Sequence, residues 1–228
     1  MGYYGDFSYH LTIKFSNKLD VEQILMQRKL EINDIDVDYA YQKPLRLAAN
    51  GSEIVEHTFD LWPMKALGMR ELKAVSLQYS LLCFQNDRFN EVGDVEVYFK
   101  PIKQEVDSAA YIAKLNKPMF ENEDITMWYL DDMRIGKDKK IYLLIKNNKD
   151  KDLNITWEDI SINGAKITEC YHMDLPANDY HLAQVAYGEK EGYQITKVDK
   201  IEATMKVYMP SVSDQGWLYD TAFMAYTK

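Results

Sequence analysis

The stretch that decides the fold is IYLLIKNNKDKDLNITWEDISING, residues 141–164. It begins with a short apolar run of the length of one buried strand, and a polar turn, NNKDKD, follows. Leu153, Ile155 and Trp157 then alternate with polar residues, the period of a half-buried strand. The apolar residues change parity across Glu158 and Asp159, which predicts a β-bulge there. Because the stretch ends in Asn-Gly, it also predicts a two-residue hairpin turn.

The same pattern occurs earlier in the chain. LTIKF (residues 11–15) precedes LEIND (30–34) at the spacing that separates IYLLI (141–145) from ISING (160–164), and both pairs are offset by 130 residues. The alternating run that starts at Val75 matches the run that starts at Ile201, with an offset of 126. A nearly constant offset predicts two copies of one module that differ by a small loop. In the first copy the Asn33-Asp34 pair is a weaker version of the Asn163-Gly164 turn.

Strand signals dominate the remainder of both copies. Short alternating runs and frequent turn residues, with little helix, are typical of an antiparallel β-sandwich. A parallel α/β sheet would need long helices between the strands, and the sequence has none. One segment, WPMKALG (62–68), has Pro early and Gly late and predicts a single short helix in the first copy. The fold class predicted is therefore all-β, with two tandem sandwiches.

The offsets predict the domain boundaries. We expect one domain over residues 1–102, a connector over 103–118 and a second domain over 119–228. The second copy has an extra strand, DITMWYL (124–130), whose counterpart would fall at or before the first residue. The first copy therefore lacks its first strand in this sequence, or Gly2 to Phe7 replaces it imperfectly. An uncovered strand edge favours pairing with another chain, so edge-mediated self-association is a further expectation.

Composition excludes several classes of function. Hydrophobic residues make up 46% and charged residues 28%, so both copies can bury a core. A net charge of −9, without a basic stripe, argues against nucleic acid as a partner. No run approaches the roughly 20 apolar residues of a membrane span, and no signal peptide is recognisable. Cys83 and Cys170 fall in different copies and are interpreted as two partly buried thiols, with an inter-module disulfide as the alternative.

Motifs that carry chemistry are missing from the sequence. There is no zinc-ligand or EF-hand spacing, nucleophile elbow, phosphate loop or dinucleotide fingerprint. We therefore predict no catalytic residues, no metal and no cofactor. An enzyme whose carboxylates converge from separate strands stays open as a minor alternative.

Aromatic residues are the best candidates for a contact surface, since the chain has 17 Tyr and 4 Trp. Exposed aromatic side chains on a sandwich are suited to holding sugars or protein partners. The candidates are Trp128, Tyr129, Trp217 and Tyr219. For each of them, packing in a core is the alternative explanation.

The runs IYLLIKNN (141–148) and WEDISING (157–164) resemble a group of bacterial envelope modules of unknown function. These are Ig-like β-sandwiches, frequent in Gram-positive gut bacteria, and they are similar in architecture to secreted immunogenic mycobacterial sandwich proteins. The segment Met64 to Leu72, leading into AVSL (74–77), resembles the helix-then-strand element of the same group. The first copy departs from the family at Asp34, where the turn prefers Gly, and at its missing first strand.

The resemblance implies two tandem Ig-like sandwiches in an extracytoplasmic protein, at the cell surface or secreted, whose signal or anchor lies outside this sequence. It transfers no catalytic residues. The function expected is a non-catalytic binding, interaction or spacer module whose partner is a protein or a cell-surface glycan. The alternative is a carbohydrate-binding module that uses exposed Tyr and Trp side chains.

Overall fold

Strands form nearly all of the regular structure, which confirms the all-β fold class. The structure is a computed structural model. It describes residues 8–37, 43–60, 62–85, 88–100, 107–115, 117–135, 138–167, 171–187, 195, 197–209 and 219–227. The chain divides into two compact units, Met1–Ser108 and Ala109–Lys228, and the division falls inside the predicted connector. A short helix that the sequence did not predict, Ser108–Ile112, spans this division.

The first unit contains seven strands and one short helix among its described residues. They are β1 (Ser8–Ser16), β2 (Gln23–Ile32), β3 (Ile35–Val37), β4 (Leu45–Leu47), β5 (Ser52–Asp60), α1 (Trp62–Ala66), β6 (Val75–Gln85) and β7 (Arg88–Phe99). β1 pairs with β5, while β2 pairs with β3, β4 and β6, and β6 pairs with β7. All of these pairings are antiparallel. The helix α1 confirms the predicted short helix. The Ser108–Ile112 helix is α2.

The second unit contains nine strands among its described residues. They are β8 (Phe120–Glu121), β9 (Ile125–Ile135), β10 (Asp138–Asn147), β11 (Leu153–Ile162), β12 (Ala165–Lys166), β13 (Tyr171–Leu175), β14 (Tyr180–Ala186), β15 (Lys200–Tyr208) and β16 (Tyr219–Thr227). One sheet has the order β14-β10-β9-β8. In the other, β11 pairs with β12, β13 and β15, and β15 pairs with β16.

Alternating side chains from both sheets build the core of the second unit. Ile141, Leu143 and Ile145 of β10 belong to the same buried cluster as Ile155 and Trp157 of β11. In β15 the burial alternates strictly, because every second residue points into the sandwich. Burying such apolar surfaces contributes about 25 cal/mol per Å².

The core of the first unit includes a polar pair among its aromatic residues. His57 and Tyr79 are both buried, and the Tyr79 hydroxyl lies 2.8 Å from His57 Nε2. Phe15 packs edge-on against Tyr79, and Phe59 stacks on His57. Burial lowers the pKa of His57 and raises that of Tyr79, because both charged forms lose water.

The predicted bulge and turns are present. The register between β11 and β15 shifts between Glu158 and Ser161, and Asp159 has a φ of 52°. The β2–β3 turn has positive φ at Asn33 (52°) and Asp34 (60°), and the β11–β12 turn has positive φ at Asn163 and Gly164. Positive φ at both central residues is the geometry of the hairpin turn that Asn-Gly favours.

A buried asparagine fixes the loops at one end of the second unit. Asn147, which is fully buried, donates through Nδ2 to the carbonyl oxygens of Lys151 (2.8 Å), Leu175 (3.0 Å) and Pro176 (3.0 Å). Its Oδ1 accepts the backbone N–H of Lys149 at 2.8 Å. One side chain therefore ties the turn after β10 to the end of β13.

The first unit has an asparagine that makes a matching set of bonds. Asn17 Nδ2 donates to the carbonyl oxygens of Val21 (2.7 Å), Leu47 (3.3 Å) and Ala48 (3.0 Å), and its Oδ1 accepts the N–H of Leu19 at 2.9 Å. Each partner lies 128 or 130 residues before its counterpart in the second unit. These are offsets of the size that the two aligned sequence patterns predict. We call the two residues the asparagine clamps.

The two units differ at one strand edge. β10 is flanked on both sides, by β9 and by β14. In the described part of the first unit, β1 is flanked by β5 alone. The predicted substitute for the missing strand, Gly2 to Phe7, lies outside the described residues, so this expectation stays a prediction.

Candidate functional site

One face of the second unit carries a cluster of polar and aromatic side chains. Since Leu153, Ile155 and Trp157 of β11 point into the core, Asn154 and Thr156 between them point to the opposite face. The flanking strands place further side chains beside these two residues. Asn154 lies opposite Asp174 of β13 and Tyr208 of β15, and Thr156 lies opposite His172 and Lys206.

Hydrogen bonds fix the orientation of this cluster. The Thr156 hydroxyl lies 2.9 Å from His172 Nδ1, and Asn154 Nδ2 donates to Asp174 Oδ1. His172 Nε2 lies 3.6 Å from the same carboxylate oxygen. The Thr156 hydroxyl therefore positions the imidazole through Nδ1, and Nε2 lies near the Asp174 carboxylate on a side chain that remains 51% exposed.

Two nearly parallel rings flank β11. The centroids of His172 and Tyr208 are 6.4 Å apart, and their planes differ by only 25°. Asn154 and Thr156 belong to β11, which lies between the strands of these two rings, and are each 8% exposed. We call His172, Asp174, Asn154, Thr156 and Tyr208 the polar face.

One ion pair lies beside the polar face. Lys206 Nζ is 2.8 Å from Glu158 Oε2. Among the described side chains of the polar face, the Asp174 carboxylate carries a formal negative charge and is 79% exposed. This charge disfavours an anionic ligand.

The corresponding positions of the first unit have a different chemistry. At the established offsets, Asn154 corresponds to Ile24, Thr156 to Met26 and Tyr208 to Leu82, so three of these positions are apolar in the first unit. Asp174 and His172 correspond to Arg46 and Pro44.

Two of the sequence-predicted contact residues lie on β9, in the other sheet of the second unit. Trp128 and Tyr129 are consecutive residues of β9, and consecutive strand residues point to opposite faces, so these two do not share one surface. Tyr129 packs against the core and donates its hydroxyl hydrogen to Asp132 Oδ1 at 3.0 Å, while Trp128 is half-buried and lies opposite Leu144.

The remaining two candidates are described only in part. Trp217 lies outside the described residues, and for Tyr219 the structure gives the backbone, opposite Val207, but not the side chain. Sequence reasoning missed His172 and Tyr208. The available signal was the alternation of β13 and β15, which exposes these two residues once the buried positions are known.

No metal centre is found in the part of the chain that the structure describes, where no three His, Cys, Asp or Glu side chains lie close enough to share an ion. In that same part, neither helix has the length and apolar character that crossing a membrane requires.

No family model matches the chain, and no curated protein matches it. Among solved structures, the chain is similar to a calcium-binding mutant of beta-glucuronidase 2 from Bacteroides uniformis, with 10% identity and a TM-score of 0.27. This match covers 98% of the chain but only 27% of the glucuronidase chain.

A second similar structure is a DUF3823 family protein from Bacteroides ovatus, with 11% identity and a TM-score of 0.21. That match covers 96% of this chain and 99% of the other. Likeness at this level establishes neither a family nor an activity for this chain.

Proposed function

We propose that the chain is a tandem of two Ig-like β-sandwich modules and acts as a non-catalytic binding or spacer segment of an extracytoplasmic bacterial envelope protein. The order of connections in the second unit supports the Ig-like assignment. β9, β10 and β14 share one sheet, and β11, β13, β15 and β16 share the other. The chain therefore changes sheet after β10, after β13 and again after β14, as Ig-like Greek keys do.

The single observation that carries the tandem is the pair of asparagine clamps. In both units the asparagine Nδ2 donates to three carbonyl oxygens at corresponding positions, and its Oδ1 accepts one backbone N–H. The strand pairings recur as well, since β1–β5 matches β10–β14 and β2–β6 matches β11–β15. Unrelated sandwiches would not place one buried side chain against the same four backbone groups.

An interaction role is supported by the edge of β1. Leu11, Ile13 and Phe15 alternate with polar residues, so an added antiparallel strand would extend the apolar face of the sheet. Leu11 and Ile13 are half-buried, whereas their counterparts Ile141 and Leu143 are each 1% exposed. Edge pairing between two copies would cover the remaining apolar surface.

Two measurements on the full chain test the proposed function. Incubation with a panel of chromogenic glycosides and peptides should give no turnover, and any catalytic turnover would refute the non-catalytic role. Sedimentation at increasing protein concentration should show a rising mass, which Thr12→Pro should suppress while Thr12→Ser serves as the exposed, non-proline control. A mass that stays monomeric throughout would rule out edge pairing.

A further inference from the structure

We infer that the polar face of the second unit is a binding site for a neutral sugar ring. The inference rests on the proposed function as a binding module and assigns the ligand class and the residues. It uses none of the aromatic residues that the sequence pattern suggested. Its basis is the ring pair of His172 and Tyr208, with the amide and carboxylate beside it.

The rings provide the apolar half of such a site. One face of a pyranose carries polarised C–H bonds, which favour the electron-rich face of an aromatic ring. The His172 and Tyr208 rings are nearly parallel and sit above a covered floor formed by Asn154 and Thr156. A flat group of sugar size can therefore rest on this pair of rings without burying an unpaired polar atom of the floor.

The polar half is supplied by Asp174 and His172. Both contacts that hold Asp174 are made through Oδ1, so Oδ2 is available to accept hydroxyl hydrogens. When the Thr156 hydroxyl donates to His172 Nδ1, the imidazole carries its hydrogen on Nε2, which lies 3.6 Å from Asp174 Oδ1 and can donate to a hydroxyl bound beside that carboxylate. One carboxylate acceptor and one imidazole donor match the paired hydroxyls of a sugar.

The arrangement is pre-organised, and this separates it from an ordinary polar surface. The His172 ring is held by Thr156, and the Asp174 carboxylate is held by Asn154. Little side-chain freedom is then lost on binding. With one stacked ring and a few hydrogen bonds, we expect a dissociation constant on the order of 1 mM per sugar ring.

The charge of the polar face favours a neutral sugar over an anionic one. Glu158 and Lys206 neutralise each other, and Asp174 keeps an exposed negative charge at the centre of the contact. A uronic acid or a sulfated sugar would bring a second negative charge against this carboxylate. Neutral hexoses and N-acetylhexosamines avoid that repulsion.

The test uses the full chain and four neutral probes, namely the hexasaccharides of β-glucan, xylan, mannan and chitin type. Amide chemical shifts are followed by NMR during titration. At least one probe should shift amides of β11, β13 and β15, and Tyr208→Ala should weaken that binding about tenfold or more. Tyr208→Phe keeps the ring and should retain binding. Tyr98→Ala removes an exposed tyrosine of the first unit and should change nothing.

Two results would overturn the inference. One is the absence of shifts on these three strands with all four probes, and the other is unchanged affinity in a Tyr208→Ala variant whose spectrum shows a folded second unit. Tighter binding of a polyuronate oligosaccharide than of any neutral probe would refute the neutral class. Cleavage of a probe would instead refute the non-catalytic role, whereas binding confined to other strands would spare that role and exclude this site.

Discussion

Removing an asparagine clamp should destabilise the unit that contains it by several kcal/mol. Asn147 makes four hydrogen bonds, and the Asn147→Ala variant would leave three carbonyl oxygens and one N–H without their partner. A hydrogen bond contributes about 1 kcal/mol net, and a buried group left unpaired costs about 1–3 kcal/mol. The full sum of these terms overstates the effect, because Nδ2 shares two hydrogens among three acceptors and because water can reach the carbonyl of the exposed Lys151. We therefore expect the free energy of unfolding to fall by about 3 kcal/mol.

The isosteric variant sharpens this prediction. Asn147→Asp keeps the acceptor for Lys149 N–H but turns a second carboxylate oxygen toward three carbonyl oxygens. At neutral pH it should be at least as destabilising as the alanine variant, because a buried charge would face like partial charges. Protonation restores one donor, so its folded-state pKa is raised above about 3.9 and the loss should shrink as the pH falls.

Urea unfolding combined with hydrogen exchange resolved by mass spectrometry separates the two units. The Asn147 variants should speed exchange in β10, β11 and β13 and leave β1 to β7 unchanged, while Asn17→Ala should do the reverse with a similar loss. Lys151→Ala keeps the carbonyl that Asn147 contacts and should change stability by less than about 0.5 kcal/mol. A loss below about 1 kcal/mol for Asn147→Ala would refute the argument that these bonds fix the loops.

Three further predictions concern turns, acidity and thiol chemistry. Asp34 has a φ of 60°, a conformation that glycine adopts without strain, so Asp34→Gly should raise the melting temperature of the first unit. Gly164 has a φ of 82°, where alanine is strained, so Gly164→Ala should lower the free energy of unfolding of the second unit by about 1–2 kcal/mol. Burial holds the pKa of His57 in the folded protein below 6.5, so this histidine takes up a proton in the unfolded chain at a higher pH than in the folded one. The first unit should therefore lose stability as the pH falls through 6.5. His57 contributes at most about 1.4 kcal/mol per pH unit to this loss. His57→Val should remove that part of the slope, as measured by urea midpoints across pH. Cys83 is a buried free thiol, so alkylation followed by mass should be slow in the native protein and fast in urea; rapid native labelling at Cys83 would contradict its burial.

Local sequence signals predict the strands and turns well. The change of parity at Glu158-Asp159 marks the bulge because side chains alternate along a strand, and an inserted residue reverses that alternation. The Asn33-Asp34 and Asn163-Gly164 turns follow from residues that tolerate positive φ. These features depend on neighbours within a few positions of the chain.

The polar face depends on strand pairing, which local patterns leave open. His172 and Tyr208 are 36 residues apart and meet only because β13 and β15 both pair with β11. For the same reason the sequence could not separate Trp157, which is buried in the core, from Trp128, which lies near a surface. In the sequence the asparagine clamps are likewise visible only as turn composition, because two of the three carbonyl acceptors of each asparagine lie 28 to 31 residues later in the chain.

Comparison of the two units indicates where a binding function would reside. The residues that hold the loops make the same bonds in both, as Asn17 and Asn147 do. The residues of the polar face change chemistry, as Tyr208 and its counterpart Leu82 do. The clamp asparagines cannot change without leaving buried backbone groups unpaired, whereas outward-facing residues can change without loss of the fold. If binding resides in the second unit, grafting the five polar-face residues onto the corresponding positions of the first should transfer sugar binding, and Tyr208→Ala should weaken binding by the second about tenfold or more.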